Sequence, residues 1–169
     1  MSLLADTTLL VVWSAGSPGE IRGQRLNTSL EVQGSELGLS GTAETTSARP
    51  RTASSGDAFA VVWEEGGGTV MLTTLGADGV VRVGATELAT GGVTGPVVAP
   101  DLLGGFAVAY QNATDVELIR VNADGVPQAE PLRFTGGSRP ELAAIPDGGF
   151  VVAYLAGGSV RLARVGCVP

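Results

Sequence analysis

Four times along the chain, an aliphatic pentapeptide ends on an aromatic ring. The segments are LLVVW at 9–13, FAVVW at 59–63, FAVAY at 106–110 and FVVAY at 150–154. The rings Trp13, Trp63, Tyr110 and Tyr154 therefore recur at intervals of 50, 47 and 44 residues. Each segment carries Val, whose branched side chain suits a pleated strand better than a helix. None shows polar alternation, so each reads as a strand covered on both faces.

The flanks repeat as well. Pro50, Pro96 and Pro140 stand 13 or 14 residues before a ring and open a first short strand, where a missing N–H is tolerated. The segments VVA at 97–99 and LAA at 142–144 belong to that strand. A turn follows, written SGD at 55–57, GG at 104–105 and DGG at 147–149. Beyond each ring comes a polar loop, then a third strand opening at Ile21, Val70, Val116 or Val160. In the third copy this strand alternates, with Val116, Leu118 and Arg120 on one face and Glu117, Ile119 and Val121 on the other. GADG at 76–79 and NADG at 122–125 are hairpin signals, because Asp-Gly favours the primed turns. A more polar fourth strand over 31–39, 80–88 and 126–134 suits a half-solvated edge.

Each unit thus holds four strands, with units at about 1–48, 49–94, 95–138 and 139–169. The first lacks most of its opening strand, and the last stops before a fourth. A period of ~40–50 residues carrying several short strands marks a β-propeller blade. The expected fold is all-β and propeller-like, with about four antiparallel four-stranded blades, the first and last incomplete. The proline, the DGGFVVAY-type strand and the later ADG turn resemble bacterial propeller-type repeats of secreted or surface proteins. That resemblance implies an extracytoplasmic setting and leaves the activity open. Open blade ends would expose apolar faces, so the chain is expected to close on itself or to pair with a second copy that completes the ring.

Composition narrows the chemistry. Hydrophobic residues make up 44% of the chain against 16% charged, enough for a core, and no apolar run approaches the ~18 residues of a membrane helix. The net charge is −7 and all ten cations are Arg, so a nucleic-acid partner is not expected. Without Lys or His there can be no Ser-His-Asp triad, His-ligated zinc, Schiff base or P-loop lysine. Met1 to Ala5 is too short for a signal peptide and lacks a charged start. Cys167 reads as a small inert apolar residue.

Few residues remain as site candidates. Trp13, Trp63, Tyr110 and Tyr154 could form a ring of stacking platforms for sugars or peptides, or a packing layer between blades. Arg25, Arg120 and Arg164 share a repeated position, with Thr74 in the second copy, and read as blade-to-blade partners or as a binding surface. Arg49 and Arg139, each just before a proline, pose the same question. Glu64 and Glu65 read as solvated loop residues, and Asp78, Asp124 and Asp147 as turn formers rather than calcium ligands. No catalytic, metal or cofactor site is assigned. The expectation is a non-enzymatic module binding protein or acting as a scaffold. A lectin-like module and a fragment of a carboxylate-dependent hydrolase are the alternatives.

Overall fold

The computed structural model describes residues 1–4, 7–41, 45–146 and 148–166, so Asp6, Asp147 and Cys167 lie outside it. Its fifteen strands form four separate sheets, and no helix occurs among the described residues. The first sheet orders β1 (Ser2–Leu3), β2 (Leu9–Ala15), β3 (Glu20–Leu26) and β4 (Val32–Gly38). The second orders β5 (Ser47–Ser55), β6 (Ala58–Glu65), β7 (Thr69–Gly76) and β8 (Val81–Ala89). The third holds β9 (Val93–Pro100), β10 (Phe106–Asn112), β11 (Asp115–Val121) and β12 (Leu132–Phe134). The fourth has three strands, β13 (Ser138–Ile145), β14 (Gly149–Ala156) and β15 (Ser159–Gly166). Neighbours in every sheet are antiparallel and consecutive in sequence, the meander of a propeller blade.

Apolar faces between successive sheets make the core. Leu10 and Ile21 of the first sheet meet Phe59, Val61 and Trp63 of the second. Val62, Val70 and Leu72 on the second sheet's other face meet Phe106, Val108 and Tyr110. Ala109, Val116 and Leu118 then meet Val152 of the fourth sheet. The aliphatic strand of the two middle sheets is buried on both faces because a sheet lies on each side of it. Among the described residues the first and fourth sheets share no packed interface, so the four blades form an open arc.

Three details differ from the sequence reading. The aliphatic strands run past their aromatic rings, so Glu64 and Glu65 belong to β6 and not to a loop. Glu64 is buried there, 7% exposed. The prolines lie inside the innermost strands, after Ser47, Val93 and Ser138 have already paired. The fourth strand of the third blade shrinks to three residues with one isolated bridge at Pro127, because Pro127 and Pro131 remove ladder donors.

Candidate functional site

The innermost strands β1, β5, β9 and β13 line one groove along the axis. Its lower part is a cavity of about 370 Å³, bounded by Leu3, Thr52, Val98 and Leu142 among others. Its upper mouth, about 190 Å³, is bounded by Arg49, Arg51, Arg139 and Glu141 over an apolar floor of Pro96 and Pro140.

A repeated bulge builds that mouth. In β5 the register jumps between Ala48 and Arg51, so Arg49 and Pro50 together face Trp63. The same jump sets Gly95 and Pro96 against Tyr110, and Arg139 and Pro140 against Tyr154. The first residue of each bulge is left-handed, with φ of 54° at Arg49, 62° at Gly95 and 51° at Arg139. Glycine fits such a bulge at no steric cost, whereas an L side chain pays about 1–2 kcal/mol. The following proline also pushes its predecessor toward extended backbone. Two of the three bulges therefore carry arginine where the backbone favours glycine.

Side chains that follow the aromatic rings hold the bulges, from the same blade at Arg49 and from the preceding one at Gly95 and Arg139. The Glu64 carboxylate accepts the Gly95 amide at 2.5 Å and the Arg49 guanidinium at 3.0 and 3.2 Å. The Gln111 side-chain oxygen accepts the Arg139 amide at 3.3 Å. Glu64 and Gln111 each follow the aromatic residue of the preceding blade. Among the described residues, neither Arg51 nor Arg139 makes an ion pair, and both are exposed.

The aromatic residues divide. Trp63 is fully buried between the first and second sheets and donates its indole N–H to Glu65 at 2.9 Å. Tyr110, 2% exposed, lies between the second and third sheets beside Glu117. Burial, with the Glu117 carboxylate second, holds its phenol well above its ordinary pKa of 10.0. Tyr154 is half-buried, its ring centroid 5.5 Å from that of Phe134. Trp13 is half-buried on the open face of the first sheet. No continuous ring of platforms faces solvent.

The repeated arginines reach across to the next blade. Arg25 donates to the Ala77 carbonyl at 2.9 Å, lying over the hairpin after β7. Gly79 makes room for it, since a Cβ there would stand 2.6 Å from Arg25 Nε. Arg120 bonds the buried Asp101 carboxylate and lies 6.0 Å from the Phe150 ring centroid of the fourth sheet. Arg164 holds the matching register position on β15, opposite Val151. Asp78 caps its own turn, its carboxylate accepting the Val80 amide. The Asp124 amide donates to Asn122, which organises the second hairpin. No cluster of three or more His, Cys, Asp or Glu residues that could hold a metal occurs among the described residues.

Sequence reasoning missed the part Glu64 plays, because adjacent glutamates after a strand look like surface. The signal available was the pairing of a residue just after the ring with an Arg-Pro step about 15 residues earlier.

No protein-family model and no curated protein sequence matches the chain. Solved structures do. A protein of unknown function from Dyadobacter fermentans superposes with a TM-score of 0.68 at 11% identity, over 95% of this chain and 50% of its own. Another protein of unknown function, from Bacteroides caccae, gives 0.57 at 16%, over 95% of this chain and 58% of its own. A GH43 endo-arabinanase from Bacillus licheniformis gives 0.55 at 9%, over 96% and 69%. This chain spans between half and three-fifths of the length of the first two. At these identities the likeness extends to the fold alone, which is all-β and propeller-like.

Proposed function

We propose that the protein is a non-enzymatic, extracytoplasmic propeller-repeat module that works by binding protein, and that a second copy of the chain completes its arc. One contrast carries the assembly. Val160 and Leu162 on β15 are 67% and 72% exposed. Their register equivalents Val116 and Leu118 in the third sheet, and Val70 and Leu72 in the second, are at most 1% exposed. In each internal interface this face mates with the opposite face of the next sheet. The first sheet offers that mate through Leu9, Val11 and Trp13, the equivalents of the fully buried Phe59, Val61 and Trp63. One chain therefore carries both halves of the missing interface, and two copies joined end to end bring together eight sheets, within the usual blade number.

The buried carboxylates favour binding over hydrolysis. Glu64 is bonded to Arg49, Asp101 to Arg120, and Glu117 to Arg133. Burial of Trp63 and Tyr110 gives a lectin reading no support. The extracytoplasmic setting is the reading that the repeat's resemblance to secreted and surface proteins supports.

Cysteine cross-linking tests the assembly. Leu162→Cys in one copy and Val11→Cys in another should join into a covalent pair under mild oxidation. A control pair with Val81→Cys, on outer strand β8, should not. Equal cross-linking in both pairs, or none in either, would overturn the end-to-end contact.

A further inference from the structure

We infer that the arginine mouth of the axial groove binds the carboxylate side chain of an acidic peptide. This rests on the protein-binding half of the reading above and is independent of the two-copy assembly.

The first ground is retained strain. Arg49 and Arg139 hold φ values of 54° and 51° ahead of proline, while Gly95 fills the same bulge in the third blade without penalty. Backbone strain of this kind clusters at binding and catalytic sites. Both strained residues are of one type and border one cavity, joined there by Arg51. The second ground is availability. Arg51 and Arg139 make no ion pair among the described residues, so their donors face the mouth without a fixed acceptor.

The third ground is charge. The chain carries −7 overall, so an anionic partner needs a local positive site. Three arginines at the mouth, set against Glu64 and Glu141, leave a single excess positive charge. That balance suits one carboxylate better than a phosphate dianion. The guanidinium fork matches a carboxylate in plane and spacing. The fourth ground is the lining. Pro96, Pro140 and Val97 give an apolar floor for an aliphatic stem, and among the described residues no aromatic ring borders the mouth to stack a sugar. Its volume of about 190 Å³ admits one side chain; a drug-sized ligand takes ~300 Å³ or more.

Calorimetric titration with a blocked tetraglutamate peptide tests the site. Blocked tetraglutamine and trigalacturonate serve as comparison ligands. Tetraglutamate should bind, weaken as salt rises, and exceed both comparisons. Arg51→Gln and Arg139→Gln should each weaken it about fivefold, the upper range for an exposed ion pair. Arg82→Gln, on outer strand β8, should leave it unchanged. The solution mass of the parent and of each variant is measured alongside, so a parent that forms the assembly and still fails to bind tetraglutamate counts against this site alone. Tetraglutamate that does not bind, tetraglutamine that binds equally, trigalacturonate that binds more tightly, or Arg51→Gln and Arg139→Gln that bind like the parent would each overturn the inference.

Discussion

Arg120 grips the carboxylate of Asp101 with two donors on a single oxygen, at 2.8 and 2.5 Å. The Asp101 side chain is 4% exposed, whereas that of Arg120 is 27% exposed. Asp101 also accepts the Leu103 amide at 3.0 Å, which fixes the turn between β9 and β10. The pair therefore ties a turn of the third blade to an arginine that leans on Phe150 of the fourth.

Because the two partners differ in exposure, their removal should differ in cost. Arg120→Met strands a buried carboxylate and should cost about 3 kcal/mol. Asp101→Asn keeps a polar acceptor and leaves an arginine that can reach water, so it should cost about 1–2 kcal/mol. Urea unfolding of both variants measures the order, and a smaller loss for Arg120→Met would refute it.

Thr74 occupies the repeated arginine position in the second blade. It is fully buried, and its hydroxyl has no hydrogen-bond partner among the described residues. Thr74→Val keeps the branched shape and removes the unsatisfied hydroxyl, so it should stabilise the fold by about 1 kcal/mol. A drop in Tm would mean that the hydroxyl is bonded in solution.

Tyr110 makes stability depend on alkaline pH. Its folded pKa is raised, chiefly by burial and then by Glu117. The contribution of the neutral phenol is complete below the ordinary value of 10.0 and is lost as pH climbs toward the folded value. Unfolding midpoints measured from pH ~8 to ~11 should fall more steeply for the parent than for Tyr110→Phe. Parallel curves would show that the phenol ionises freely in the fold.

Arg139→Gly separates strain from binding. Relief of the left-handed arginine is worth about 1–2 kcal/mol, and the freer unfolded chain takes back about 0.4–1 kcal/mol. The variant should be more stable by about 0.5–1 kcal/mol while losing tetraglutamate affinity. A destabilised variant would place the arginine in the fold's own support.

The architecture was legible because it depends on repetition. Four aliphatic strands with recurring rings call for cover on both faces, and side-by-side sheets supply it to the two middle ones. The alternation of Val116, Leu118 and Arg120 against Ile119 and Val121 maps onto two separate interfaces in the structure. What stayed hidden depends on register. The bulge at Arg49-Pro50 arises because two residues of β5 oppose the single Trp63, and no local pattern reports cross-strand pairing. Glu64 was opaque for the same reason. Its partners, Arg49 and the Gly95 amide, lie 15 and 31 residues away in sequence.

Light scattering on the purified chain addresses the central claim, that the arc's two open faces meet those of another copy. The expected mass is twice the 17.0 kDa of one chain, falling to a single chain in Leu162→Arg. A folded parent that stays at 17.0 kDa at every concentration, with Leu162→Arg indistinguishable from it, would contradict the account.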